Sequence, residues 1–125
     1  LEKGYIVIFA GGTGQPYVTT DYTAAQRSLE TRADAILFAK NKARGIFTSD
    51  PRTDPSARMY QRMHYNTILT NNLTIIDQTA IILAREHSLP IHVFDFDEKG
   101  TSQQICAGRD AGTLVADVEP DVLES

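Results

Sequence analysis

Apolar residues fall along the chain in short runs that alternate with segments of helical spacing. Tyr5–Ala10 is an uninterrupted apolar run containing Val and Ile, which predicts a buried strand. A stripe with helical spacing follows and predicts a helix over residues 21–31. The residues of this stripe are Tyr22, Ala25, Leu29 and Ala33. Ala35–Ala39 is a second run without alternation, typical of a strand covered on both faces. Together the three elements predict a right-handed βαβ unit.

The rest of the chain continues this alternation. Lys40–Ala57 is rich in Lys, Arg, Asp, Pro and Thr, and it predicts a long loop of the kind that is usually functional or disordered. The later predicted elements are a short helix around Tyr65–Leu69, a longer helix over Leu73–His87, a strand over Ile91–Phe96, a helical turn over Gln103–Ala107 and a strand over Thr113–Ala116. This order indicates an α/β fold with a mainly parallel sheet, one edge of which would stay open. The acidic tail, residues 117–125, is expected to fray.

Composition narrows the class of protein. A chain of 125 residues with 42% apolar content can bury one core, which indicates a single domain. Lys plus Arg total 12 and Asp plus Glu total 16, a net charge of −4 that argues against a nucleic-acid surface or a polybasic membrane patch. Cys106 is the single cysteine, so no intrachain disulfide can form, which suits a reducing compartment. Its side chain is expected to be semi-buried. With no signal-peptide pattern and no spanning apolar run, a cytoplasmic location is expected.

A glycine-rich turn lies between the first strand and the first helix. Gly11, Gly12 and Gly14 can adopt positive φ and allow a ligand to approach the backbone. Thr19–Asp21 then opens the helix, where free backbone amides favour an anion. This arrangement fits a phosphate or nucleotide site, and it equally fits a plain strand-to-helix turn. There is no GxxxxGK[ST] motif, so a P-loop kinase is unsupported. The three histidines lack ligand-like spacing, and no metal site is predicted.

Four segments, in order, resemble one family. GGTGQPYVTTD is similar to the uridine-nucleotide segment of bacterial-type UMP kinases (uridylate kinases), members of the amino-acid kinase family. KNKARGIFTSDPRTDPSA resembles the ATP-side loop of that family, TIIDQTAIILAREHSLPIHVF its next helix and strand, and GRDAGTLV its closing strand. The resemblance runs from Gly4 to Val115 and corresponds to the C-terminal half of longer family members.

The resemblance implies both a fold and an activity. It implies the three-layer α/β/α sandwich of the family, with residues 1–116 as a C-terminal nucleotide-binding half. The implied reaction is phosphoryl transfer from ATP to UMP, giving UDP in pyrimidine nucleotide biosynthesis, with Mg²⁺ accompanying ATP. It further implies a cytoplasmic homohexamer controlled by nucleotides such as GTP or UTP.

The same resemblance implies site residues. The UMP-binding residues would be Thr13, Gly14, Gln15, Pro16, Tyr17, Val18, Thr19 and Thr20. Tyr17 would pack against the ligand or be a half-buried loop aromatic. Asp21 would organise charges around the transferring phosphoryl group, working through a cation; its alternative role is to interact with the helix amino end.

The ATP-binding residues would be Asn41, Phe47 and Asp50, although Asp50 before Pro51 also fits a turn starter. Near this loop the chain departs from the family at two positions. Arg44 replaces an acid, and Phe38 stands where many relatives carry a lysine that nearby Lys40 could replace. Asp77 lies within a mostly apolar predicted helix and is expected to make a structural hydrogen bond or ion pair.

Two other functions stay open from the sequence. One is a noncatalytic nucleotide-binding or assembly module of the same fold. The other is a different amino-acid kinase acting on a carboxylate or carbamate.

Overall fold

Five strands form one sheet in the computed structural model, which describes residues 1–125. The elements in chain order are α1 (Thr20–Glu30), β1 (Ile36–Lys40), β2 (Tyr60–His64), α2 (Tyr65–Thr70), α3 (Gln78–Glu86), β3 (Ile91–Asp95), α4 (Thr101–Cys106), β4 (Thr113–Ala116) and β5 (Val122–Leu123). The predicted α/β class is confirmed. None of the helices is long and apolar enough to cross a membrane.

The sheet is mixed, with strand order β1-β3-β4-β2-β5. β1 runs parallel to β3, and β2 runs parallel to β4. The two parallel pairs meet in an antiparallel contact between β3 and β4, and β5 is antiparallel to β2. The connection between β3 and β4 contains α4, which has only 6 residues.

Helices cover both faces of the sheet. One face packs against α1, α2 and α3, and its core joins strand residues to small helix residues. These core residues include Ile36, Met63, Ile91, Val93 and Val115 from the strands and Ala25, Ala80 and Ala84 from the helices. On the other face, α4 contacts β3, and its Ile105 is buried, as is Phe94 of β3. The layers are therefore those of the expected α/β/α sandwich. The amino end of α1 meets the carboxyl end of β1, where the Lys40 Nζ is 3.0 Å from the Asp21 carboxylate.

The predicted N-terminal strand is not formed. Tyr5–Ala10 makes no backbone hydrogen bonds, and Ile6 and Ile8 are 93% and 87% exposed. The apolar pattern is that of a buried strand, but a strand requires a neighbour for its backbone and a surface for its side chains. Without this strand the predicted βαβ unit is incomplete. β1 is an edge strand with Leu37 exposed, so the sheet has the open edge that was expected.

Two further elements differ from the sequence prediction. The predicted helix over Leu73–His87 begins only at Gln78, because Asp77 caps it. β2 was not predicted, since its buried residues Tyr60 and Met63 are three apart and break the alternation of a strand. A register shift between Tyr60 and Arg62 explains this spacing, because a bulge changes which face the following residues point to.

The expectation that residues 117–125 fray is wrong. Val122–Leu123 extends the sheet as β5, and the Glu124 N–H donates to the Met59 carbonyl at 2.8 Å. The Asp121 carboxylate accepts from the backbone N–H of His64 at 2.7 Å and from the Thr67 hydroxyl at 2.6 Å. The tail is held by polar groups, which is why its lack of apolar residues was misleading.

Cys106, expected to be semi-buried, is exposed.

Candidate nucleotide site

The glycine turn adopts the backbone that its sequence predicts. Gly11, Gly12 and Gly14 have φ of 84°, 64° and 72°. Tyr17 also lies in the left-handed region, at φ 63°, which is uncommon for a residue with a side chain. No other part of the chain covers Tyr17, so its interpretation as a half-buried loop aromatic is wrong. The turn therefore presents glycine backbone and one aromatic ring to the outside.

Threonines complete the turn and begin the helix. Thr19 is the N-cap of α1, and its side chain accepts from the backbone N–H of Tyr22 at 3.3 Å. Thr13 accepts from the N–H of Gln15 at 3.2 Å. Of the predicted UMP-binding residues, Thr13 and Val18 are half-buried and the others are exposed. Gly11, Gly12 and Thr20 line a cleft of about 420 Å³ beside α1.

Asp21 and Lys40 form the central ion pair of the site. Asp21 lies in the first turn of α1, and Lys40 is the last residue of β1. The Lys40 Nζ is 3.0 and 3.1 Å from the two carboxylate oxygens of Asp21. The backbone N–H of Asp77 donates to the same carboxylate at 3.1 Å. The side chains of Asp21 and Lys40 are only 20% and 24% exposed, so the pair is largely shielded from water.

Asp77 joins this cluster as a cap and not as a residue inside a helix. Its carboxylate accepts from the backbone N–H and the hydroxyl of Thr79, at 2.8 and 2.6 Å. These hydrogen bonds hold the pKa of Asp77 below its ordinary value, and the bond from the Thr79 hydroxyl has the largest effect. The predicted structural hydrogen bond is confirmed, and it fixes the start of α3 beside Asp21.

The segment after β1 contains a short hairpin that shapes a second cleft. Phe47 bridges Met59 in antiparallel fashion, and the N–H of Thr48 donates to the Arg58 carbonyl at 2.9 Å. The cleft has a volume of about 560 Å³, and all three predicted ATP-binding residues, Asn41, Phe47 and Asp50, line it. The structure thus brings together side chains that are spread over a loop in sequence.

The opposite wall of this cleft was not predicted. It consists of Leu73, Thr74 and Ile75, which precede the cap of α3. The sequence pattern predicts a helix over these three residues. The available signal was Asp77 followed by Thr79, since an Asp at the N-cap starts a helix and leaves the residues before it extended.

Asp50 has a turn role in addition to its place in the cleft. It accepts from the backbone N–H of Arg52 at 2.9 Å and pairs with the Arg52 guanidinium at 2.9 Å. The hydrogen bond from the Arg52 side chain is the main reason that the pKa of Asp50 is lowered. Both alternatives for this residue are therefore compatible, because one carboxylate starts the turn and still faces the cleft.

The two departures from the family pattern lie outside the second cleft. Arg44 points to the tail, where its guanidinium is 3.7 Å from the Glu124 carboxylate, and both side chains are exposed. Phe38 is buried in the core beneath Lys40, whose Nζ lies 5.2 Å from the ring centroid. A positive charge is thus present at the end of β1, although it comes from Lys40.

The ion pair lies between the two clefts along the chain. Asp21 follows Thr20, which lines the first cleft, and contacts Asp77, which follows the wall of the second. Lys40 directly precedes Asn41, which lines the second cleft. The chain contains no cluster of three or more His, Cys, Asp or Glu side chains that could hold a metal ion by itself. The ion pair is thus adjacent in sequence to the lining residues of both clefts.

Comparisons with known proteins give the family. The profile of the amino acid kinase family matches residues 1–95. The uridylate kinase of Frankia casuarinae is 45% identical over 116 residues, which cover 93% of this chain and 45% of that protein. The uridylate kinase of Rubrobacter xylanophilus is 48% identical over 115 residues, which cover 92% of this chain and 45% of that protein.

A solved structure agrees with the sequence comparisons. The crystal structure of the UMP kinase from Bacillus anthracis matches with a TM-score of 0.96 and 49% identity, covering 99% of this chain and 50% of that one. This chain spans about half the length of the curated relatives it matches. From the profile match, the identities and the shared fold, the chain belongs to the amino acid kinase family.

Proposed function

We propose that this chain supplies the nucleotide-contacting half of a UMP kinase, which transfers a phosphoryl group from ATP to UMP and gives UDP. The observation that carries the proposal is the shielded Asp21–Lys40 ion pair. Asp21 directly follows Thr20, which lines the cleft beside the glycine turn, and Lys40 directly precedes Asn41, which lines the cleft beside the hairpin. The names of the relatives, uridylate kinase and UMP kinase, support the choice of substrate.

The glycine turn is the acceptor side in this proposal. Gly14 has open space where a Cβ would stand, so a ligand can approach its backbone. The amino end of α1 adds free N–H groups and a positive dipole, which favour the phosphate of UMP. Tyr17 offers an exposed ring that could pack against the nucleotide.

The hairpin cleft is the donor side. Phe47 provides an apolar face for the adenine base, and Asn41 offers amide donors and acceptors. Asp50 accepts hydrogen bonds, and binding of the ATP ribose would compete with its exposed partner Arg52. Leu73 and Ile75 add apolar surface on the far wall, as is usual for a site that encloses a base.

Lys40 and Asp21 act where the two nucleotides meet. Transfer of a phosphoryl group needs alignment and neutralisation of charge more than covalent help from the protein. The Lys40 ammonium supplies the positive charge, and Asp21 fixes its position through two hydrogen bonds. A bare carboxylate at this point would repel phosphate, so Asp21 works through Lys40.

Magnesium fits the site as a companion of ATP. Asp21 is the carboxylate of the ion pair. Mg²⁺ takes most of its ligands from phosphates and water with one or two carboxylates. When bound, the ion would neutralise phosphate charge during transfer. The remaining features of the proposal come from the resemblance: a cytoplasmic homohexamer in pyrimidine nucleotide biosynthesis, with GTP or UTP as effectors.

The test is a coupled assay of the full-length protein with ATP, Mg²⁺ and three alternative acceptors. Strong turnover with UMP, and little with CMP or aspartate, is the expected result. Turnover with aspartate would assign a carboxylate kinase of the same family. Nucleotide binding without turnover on any acceptor would instead indicate a noncatalytic module.

A further inference from the structure

The hairpin of the second cleft is anchored by a buried hydroxyl from the far end of the chain. Thr113 is the first residue of β4 and is 0% exposed. Its Oγ1 accepts from the backbone N–H of Ile46 at 2.8 Å and donates to the carbonyl of Tyr60 at 2.5 Å. Ile46 and Tyr60 lie on the two arms of the hairpin, so one hydroxyl holds both arms at their base.

The hydroxyl takes the place of a ladder hydrogen bond. The N–H of Tyr60 donates directly to the Ile46 carbonyl at 2.8 Å. In an antiparallel hydrogen-bonded pair, the Ile46 N–H would donate back to the Tyr60 carbonyl. Here the hydroxyl of Thr113 is inserted between these two groups. The insertion holds the arms apart on one side and ties them to the sheet.

Gly45 provides the room for this insertion. A Cβ at Gly45 would stand 2.5 Å from the Thr113 Oγ1 and 2.7 Å from the Met59 Sδ. Real Cβ atoms do not come so close to a packed neighbour. The glycine is therefore required by close approach, and Gly45 and Thr113 form a matched pair although they are far apart in sequence.

We propose that Thr113 is a positioning residue for the donor nucleotide: its hydroxyl fixes the hairpin that places Phe47 and Asp50 in the second cleft. Phe47 directly follows the anchored Ile46, so rotation of the hairpin base would displace it first. Asp50 lies further along the same arm and turn. This inference rests on the proposed function, since the cleft is the ATP side of a kinase.

The test compares Thr113→Val and Thr113→Ser in the full-length kinase. Valine keeps the shape and leaves the Ile46 N–H and the Tyr60 carbonyl without their partner. We expect Thr113→Val to raise the KM for ATP about tenfold, equivalent to about 1.4 kcal/mol, and to change the KM for UMP less than about twofold. Thr113→Ser keeps the hydroxyl and should restore the KM for ATP. Amide exchange at Ile46 should be faster in the valine variant only.

Val115→Ala is the matched control. Val115 lies on the same strand and is equally buried, but it pairs with Met63 and Ile91 and not with the hairpin. It should lower stability and leave the KM for ATP unchanged. If Thr113→Val does not fold, Thr113→Ala replaces it, because it also lacks the hydroxyl.

The outcomes separate this inference from the proposed function. An unchanged KM for ATP in the folded valine or alanine variant, or an equal rise in Val115→Ala, overturns the role of Thr113 while the kinase assignment stands. A wild-type protein that neither binds ATP nor forms UDP overturns both.

Discussion

Replacing Asp21 by Asn tests the centre of the proposed site. Asn has nearly the same shape but no charge, and its amide group has one acceptor oxygen where the carboxylate has two. The carboxylate now accepts from the Lys40 ammonium and from the Asp77 N–H. The amide oxygen of Asn can replace only one of the two carboxylate oxygens. Its NH₂ group would then face either the Lys40 ammonium or the Asp77 N–H, and both of these are donors.

The size of the effect follows from burial and from the role in transfer. Charge-assisted hydrogen bonds contribute about 1.5–3 kcal/mol. Because the pair is 20% and 24% exposed, we discount this to about 1–2 kcal/mol of unfolding free energy. The turnover number kcat should fall by about 10²–10³-fold, the size of loss seen when one preorganised group that stabilises a transition state is removed. The KM values for ATP and UMP should change by less than about threefold, since the residues proposed to contact the two nucleotides are unchanged.

The assay measures kcat and both KM values in the full-length protein by coupled UDP formation, together with urea unfolding. Asp110→Asn is the matched control, because Asp110 makes an ion pair with Arg62 at the same 3.0 Å distance but away from both the glycine turn and the hairpin cleft. Its turnover should equal that of wild type. The double variant Asp21→Asn/Lys40→Met should lose less than the sum of the single losses, because the two side chains act as a unit.

Two results would refute this reasoning. Wild-type turnover in Asp21→Asn would reduce Asp21 to a residue that interacts with the helix end. A loss confined to KM would mean that the carboxylate holds a nucleotide in the ground state and does not organise the transfer.

Three further predictions follow from separate features. Gly14→Val should abolish UMP binding, measured by calorimetry, and keep the fold. Gly108 also has positive φ and open space, so Gly108→Val is the control and should bind UMP normally. Equal affinity of the two variants would show that UMP does not bind at the glycine turn. The isolated 125-residue chain should form no measurable UDP. It should also self-associate in sedimentation experiments, because the apolar side chains of Tyr5–Ala10 are exposed. Robust UDP formation in the absence of contaminating kinases would contradict the first expectation. Burial lowers the pKa of His92 below 6.5, so its contribution to stability is present above that pH and is lost as the pH falls through the lowered pKa. Urea unfolding should therefore show a steeper loss from pH 7 to pH 5 in wild type than in His92→Gln, and identical slopes would disprove it.

Local sequence determined the elements whose cause is local. The three glycines dictated positive φ in the turn, and Thr19 dictated the start of α1, because backbone freedom and capping depend on a few adjacent residues. The strands at Ile36–Lys40 and Thr113–Ala116 were predictable from short apolar runs. The resemblance named Asn41, Phe47 and Asp50, and the structure brings these three to one cleft.

Tertiary structure alone decided how these elements meet. Lys40 and Asp21 are 19 residues apart, and Thr113 and Ile46 are 67 apart, so no local pattern specifies either contact. The bulge that breaks the sequence alternation of β2 and the polar contacts that hold β5 likewise depend on partners elsewhere in the sheet. Tyr5–Ala10 shows the converse, because it has the sequence of a buried strand and remains uncovered. A hydrophobic pattern gives a segment a preference for burial, but only a neighbouring strand supplies the hydrogen bonds and the surface that turn this preference into structure.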